Sequence, residues 1–475
     1  EVQIEPRGFL NSGDDAAIVP NGTFFTNQDW LPAIGYQSRR ELGGAKDRGA
    51  HGLAPQPGFR SLSEAEASQN LAGEERIAFT AVVGTDADQV AVAPGALRRT
   101  WTEGGRRYFH YAAGSPIWNE YAFFSANYAL REARWNDVAI RIYHHPAHTA
   151  NLDRMLQSIQ AALDHYSAQF GPYPYQNLSL VERPGVGGMH AYASLITFQE
   201  GFSLFNPADN PRGPDVPFAM VAHEVAHQWW GSYLAPIRVE GNGVLAESLA
   251  EYAAFQVVKK TYGQEHLRRY LTQLRKRYAG ARAALPLLRA NEDFHQYYGG
   301  PVALYAVSEY VGEDQVNRAL RRLIDAHRSG ALLTALDLYR ELQAVTPPEL
   351  QYLLRDLFEA NTVWELEAEQ ASAEQTAAGW QLTLDVRARK VVVDPAGAET
   401  EVPMNDLIEI GVFAPGQGGA EVGEPLYKQL HPIRSGAQRI TVTVPARPAL
   451  AGIDAHYLLS DLNLGNNLAE VQIEN

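Results

Sequence analysis

The segment His223-Glu224-Val225-Ala226-His227 constrains this chain more than any other. The residues FAMVA before it and QWW after it continue an apolar helical run with no internal Gly or Pro. On a helix, positions i and i+4 share one face, about 6 Å apart. Two imidazoles placed that way can converge on one ion at about 2.0–2.1 Å each. In a chain with 14 His among 475 residues, chance supplies roughly 0.02 matches to the pattern. Glu224 stands one residue along, beside the ion and not on it, where it can hold a water and take its proton.

A catalytic zinc needs a third protein ligand and one open position. Positions 230 and 233 are Trp and Tyr, so no third His follows at close spacing. The stretch GNGVLAESLAEYAAF supplies carboxylates instead. Residues 228–246 separate His227 from Glu247, enough for a helix end, a turn and an antiparallel return. Glu251 lies four further on, on the same face. The expected zinc ligands are His223, His227 and Glu247, holding one Zn2+ per chain. Glu251 is expected to accept the second N–H of a ligating His; the reverse assignment of the two carboxylates stays open.

Length and composition set the frame around this site. At about 150 residues per domain, 475 residues suggest three domains. Residues 76–145 read as strands, 146–361 as mostly helical and 362–475 as strands again. The expected domains are therefore an irregular and β domain over 1–145, an α-rich catalytic domain over 146–361 and an immunoglobulin-like β-sandwich over 362–475. The formal net charge of -15 argues against nucleic acid as a partner. The absence of Cys excludes disulfides, thiolate zinc sites and a Cys nucleophile. No apolar run approaches the ~18 residues of a membrane span. A start at Glu1 suggests a mature or excised fragment.

HEVAHQWWG followed by VLAESLAEY resembles the gluzincin aminopeptidases, the aminopeptidase N and leukotriene hydrolase group. PGVGGMHAYASLITF resembles that family's substrate-binding strand, usually GAMEN. QYYGGPVALYAVSEYVGED resembles its YxKG segment. The resemblance implies a multidomain α+β fold with a thermolysin-like catalytic domain. It also implies peptide hydrolysis by a water activated at zinc, with Glu224 as general base. Alignment on Gly300 puts the oxyanion-stabilising tyrosine at Tyr297, with Tyr298 as the competing choice and Gly299 where Lys is usual. Gly187, Gly188 and Met189 match the substrate strand. His190 falls where the family has the Glu that binds the substrate α-amine, and Ala191 falls on its Asn. Glu182 and Glu200 are candidates to replace that carboxylate.

A closer resemblance covers nearly the whole chain. RELGGAKDRGAHGL, RRYFHYAAGSPIWNEYAFFSANY and AETEVPMNDLIEIGVF look like the peptidase domain fused to bacterial ABC-type transporter permeases. It implies an extracytoplasmic, periplasmic domain with a membrane-embedded permease segment as partner and a peptide as substrate or ligand. Two other segments read as structural: the His cluster of YHHPAH at 143–148 as a turn or surface feature, and LRRYLTQLRKRY at 267–278 as a solvated helix face. A lipid head group is the sharper alternative for the second.

Overall fold

A computed structural model of the chain describes residues 17–19, 22–31, 42, 44–54, 59–67, 76–184, 188–200, 213–234, 237, 239–278, 285–328, 333–416, 422–461, 463 and 465–474. The chain divides into two compact units. The first comprises residues 1–168, 172–207 and 220–240; the second comprises 169–171, 208–219 and 241–475. Among the described residues no helix is long and apolar enough to cross a membrane.

The first unit begins with small antiparallel sheets. One of four strands runs Ala17–Val19, Gly22–Thr26, Ala122–Ala126, Val90–Val92, and another of three runs Thr80–Asp86, Arg106–Ala112, Ala96–Glu103. The two sheets share a core around Phe79, Ala91, Phe109 and Tyr111, while Phe24 and Phe124 of the four-stranded sheet pack with Tyr143, Val181 and Leu195. A five-stranded sheet follows, in the order Ala129–Trp135, Val138–His144, Asn177–Arg183, Leu195–Gln199, Met189–Tyr192. Val138–His144 and Asn177–Arg183 are parallel and joined through the helix Leu152–Phe170. A parallel pair needs such a crossover. The strand before the helix therefore shares a sheet with strands after it, and the sheet runs across the boundary expected at 145/146. Among the described residues the short strand Met189–Tyr192 pairs only with Leu195–Gln199, which puts it at the edge of the described sheet.

In the second unit the helices are amphipathic where they border solvent. Glu313–His327 buries Val316, Ala319, Leu320, Leu323 and Ile324, a 3–4 spacing that puts one stripe inward. Ala335–Val345 starts at Thr334, whose hydroxyl and N–H both reach Asp337, a reciprocal cap at the first turn. The run expected to form a solvated face is the helix Gln264–Arg277, and two of its arginines point inward instead. Arg268 bonds Glu265 and the Tyr457 hydroxyl, and Arg275 lies over the Tyr298 ring at 5.7 Å. Their long apolar stems pack while the guanidinium finds a carboxylate or an aromatic face, which a charge count along the sequence does not register.

The C-terminal strands form one curled sheet of eight and not the two-sheet sandwich expected. The last strand, Leu468–Glu474, is parallel to Thr362–Thr376 on one side and antiparallel to Leu450–Ile453 on the other. It joins what would otherwise be separate sheets. A bulge between Ala368 and Gln370 shifts the register of the long strand. Trp364, Leu366 and Ala368 are buried before it and Ala371 and Ala373 after it, so the extra residue keeps one face inward through the bend. On this sheet Lys390 is buried, with its ammonium 2.9 Å from Asp356 and 3.0 Å from Asp406. Asp406 also accepts the Trp364 indole N–H.

Lys390→Ala strands Asp406 as a buried, unpaired carboxylate and should cost about 3–5 kcal/mol in urea unfolding. Arg389→Ala removes exposed pairs with Glu365 and Glu401 and should leave the unfolding midpoint almost unmoved.

Candidate active site

The motif helix is Val216–Ala226. Asp215 caps its start by accepting the Phe218 N–H at 3.1 Å, and Pro217 sits in the first turn, where no N–H is missed. Phe218, Ala219, Val221, Ala222, Val225 and Ala226 are all buried. The regular helix stops one residue before the second His and does not run through QWW as expected. The cause is Gly231, at φ 113, where the chain reverses so that the Ser232 N–H returns to the His227 carbonyl. His227 still bonds the His223 carbonyl through its own N–H, so the i,i+4 spacing survives to the end of the motif.

His223, Glu224 and His227 are buried. The Nε2 atoms of His223 and His227 face each other at 3.1 Å. Two donors at 2.0–2.1 Å from a tetrahedral ion lie about 3.3–3.4 Å apart. His227 Nδ1 lies 2.8 Å from the Trp230 carbonyl. A carbonyl only accepts, so Nδ1 carries the proton and Nε2 presents a bare lone pair. With Glu247 the two His form a cluster whose ligand atoms all lie within 4.8 Å of one another. Two neutral imidazoles and a carboxylate suit zinc and leave one position open.

Glu247 stands on a π-helical turn, Val244–Ser248, that leads into the helix Leu249–Tyr262; a regular helix start was expected there. Tyr297 stands on a second π turn, His295–Gly299, that leads into Gly300–Val311. Single π turns concentrate at functional sites because the extra residue re-aims side chains without breaking the helix. The two turns lock together: the Ser248 hydroxyl lies 3.1 Å from the His295 carbonyl and 3.0 Å from the Gln296 carbonyl. Any Cβ at Gly300 would sit 2.2 Å from that hydroxyl oxygen, so the contact requires Gly there. Burial holds His295 below the ordinary imidazole range, and its neutral ring donates from Nε2 to the Leu285 carbonyl at 3.0 Å.

Tyr298, the competing tyrosine, is buried against Tyr278, Phe294 and Arg275, and burial pushes its hydroxyl above the ordinary range. Tyr297 is half-buried. Glu251 is buried and accepts the Tyr270 hydroxyl at 2.9 Å. Burial and the Glu251 charge hold Tyr270 protonated for that bond. Since the Trp230 carbonyl takes Nδ1 of His227, the expected bond from a ligating His to Glu251 is open only at His223.

Gly187 lies outside the described residues. Gly188 is exposed, and Met189 and His190 lie on the edge strand, paired in register with Phe198 and Thr197. His190 Nε2 is 3.4 Å from a Glu120 carboxylate oxygen, and its ring meets Tyr192 edge-on at 4.5 Å. Glu182 is buried, with its carboxylate on His148 Nδ1 at 2.5 Å and the His145 N–H at 2.6 Å. The His cluster at 143–148 thus consumes Glu182 in a structural contact, and the carboxylate beside His190 is Glu120. Sequence reading missed Glu120 because it lies 70 positions upstream, and nothing in its own stretch points to a contact with His190.

Residues 151–357 match the Peptidase family M1 domain. The chain is 29% identical over 223 residues to Aminopeptidase 2 of Candida albicans, covering 43% of this chain and 24% of that protein. It is 35% identical over 81 residues to Aminopeptidase N of Acetobacter pasteurianus, covering 16% of this chain and 22% of the other. The matched stretches thus span about a quarter of these relatives' lengths. The fold is similar to aminopeptidase A of Legionella pneumophila solved with aspartic acid, with a TM-score of 0.56 at 14% identity, over 84% of this chain and 45% of that one. With the His–His–Glu cluster inside the matched segment, the metal is zinc and the domain is of the zinc metallopeptidase kind.

Elemental analysis should find about one zinc per chain. Glu247→Ala should abolish tight binding, while Glu251→Ala should weaken zinc by about 10–100-fold, as losses behind a ligand do. Full zinc occupancy in Glu247→Ala would show that the third ligand lies elsewhere.

Proposed function

We propose that this zinc metallopeptidase domain hydrolyses peptide bonds, with the substrate laid along the Met189–Tyr192 edge strand and with weak selection for a free N-terminus. The observation that carries the reading is the pair of facing Nε2 atoms with Glu224 beside them in one buried segment. Zinc, when bound by His223, His227 and Glu247, supplies Lewis acidity and lowers the pKa of a water toward ~7. Glu224 would take the proton of the attacking water and pass it to the leaving amine. Tyr297 donates its hydroxyl to the oxyanion that develops on the scissile carbonyl. An extended peptide would pair with the backbone of the Met189–Tyr192 strand.

His190 supports the second half of the proposal. A carboxylate attracts an ammonium group and an imidazole does not. Glu120 keeps one negative charge in the neighbourhood, but His190 lies against it. A competing reading, a zinc-holding peptide-binding domain without turnover, draws on the same substitution. Placement outside the cytoplasm beside a membrane permease remains part of this proposal, on sequence resemblance alone.

Glu224→Gln should keep zinc and lose hydrolysis, and Tyr297→Phe should lower kcat with little change in KM. N-acetylated peptides should be cleaved about as well as free ones. Cleavage restricted to free N-termini, and lost in Glu120→Ala, would assign the amine to Glu120 and overturn the relaxed selection. Binding of peptides with no cleavage by the zinc-loaded chain would favour the non-catalytic reading.

A further inference from the structure

We propose that Gln228 is a positioning residue that sets the peptide-binding edge strand from the end of the zinc-ligand motif. The proposal rests on the reading of the edge strand given above. Gln228 follows His227 directly and is fully buried. Its side chain leaves the motif and spans the hairpin that carries the edge strand. The Oε1 atom accepts the Ser194 N–H at 2.8 Å, and Nε2 donates to the Tyr192 carbonyl at 3.0 Å. Tyr192 is the last residue of the edge strand, and Ser194 precedes the returning strand Leu195–Gln199.

The hairpin turn is an awkward one. Ser194 has φ 60, a left-handed conformation that non-Gly residues seldom adopt. Its neighbours hold it there: its hydroxyl accepts the Gly95 N–H at 2.9 Å, and its carbonyl accepts the Ser179 N–H at 3.0 Å. Gln228 supplies the remaining backbone partner, at Ser194 N–H, and fixes the strand end through Tyr192. His190 lies two residues along the same face and rests its ring on Tyr192. One amide therefore ties the backbone next to His227 to the residue that carries His190. A carboxylate could accept from Ser194 but not donate to Tyr192, and an apolar chain could do neither. The role is specific to a side chain with one acceptor and one donor at this length.

The test uses the full zinc-loaded chain and two variants, Gln228→Met and Gln228→Glu. Three quantities are read: zinc affinity by chelator competition, amide exchange along 177–199, and kcat and KM for the fluorogenic peptide that the wild-type chain cleaves fastest. In both variants zinc affinity should stay within about 3-fold, because the ligand atoms are untouched. Exchange should rise by about 10-fold or more within 189–199 and stay near wild type in 177–183. KM should rise by about 10-fold, with kcat within about 3-fold. A uniform rise in exchange across the sheet, or parallel loss of zinc, would mark Gln228 as a general structural residue and overturn the proposal. Wild-type KM with locally faster exchange would overturn the link to peptide capture while leaving the reading of function intact. A zinc-loaded wild-type chain that cleaves no peptide would remove both. Should Gln228→Met fail to fold, Gln228→Glu keeps the shape and one of the two bonds, and the same readings decide.

Discussion

Two imidazole nitrogens must face each other about 3 Å apart on one buried segment, at the end of the motif helix; the rest of the site depends on this. A helix supplies the spacing without effort, since i and i+4 fall on one face. It does not supply the protonation state. That comes from the Trp230 carbonyl, which takes the proton-bearing Nδ1 of His227. The carbonyl reaches the ring because the chain turns back at Gly231 immediately after the motif. The helix therefore ends at the one place where ending it both keeps the His spacing and brings a backbone acceptor to the second His.

The same economy appears at the third ligand and at Tyr297. Each is carried by a single π turn at the head of a helix, and the two turns are held to each other by Ser248. A π turn exposes carbonyls that a regular helix would use internally. Ser248 meets the Gln296 carbonyl and shares the His295 carbonyl with the Gly300 N–H, and Gly300 leaves the space it needs. A carboxylate ligand and a hydroxyl donor are useful only if their geometry is fixed to fractions of an ångström. Linking the two turns by a short hydroxyl fixes both with one side chain.

The parts of this site that were legible in the sequence are those set by local spacing. The His pair and Glu247, which the structure brings together, follow from helix periodicity and a short return; the places of Glu224 and Tyr297 beside them rest on the motif and on the family resemblance. What was not legible is set by contacts between distant segments. Glu120 meets His190 across 70 residues. Glu182, a candidate for the missing amine partner, is spent on His148. The C-terminal strands alternate as a sandwich would. Only the pairing of Leu468–Glu474 with strands on both sides makes them one curled sheet, and strand pairing leaves no mark in alternation. Arg268 and Arg275 read as a solvated face because their charge is visible in sequence and their burial is not.

Chemistry and selection are separable in this architecture. Glu224 and the ligand set depend on the motif helix and the π turns, and none of these is altered by what stands at position 190. On the proposed reading, selection depends on the edge strand, a hairpin of few residues whose conformation is imposed from outside by Gly95, Ser179 and Gln228. A change of charge at an exposed position on that strand costs little stability, because His190 and Glu120 are both half open to solvent. It changes the electrostatics of an entering α-amine directly, since opposite charges attract and like charges or neutral rings do not compensate for lost hydration. On the proposed reading, such a scaffold can keep its hydrolytic machinery while its preference for a free N-terminus is set at one residue of the strand, His190.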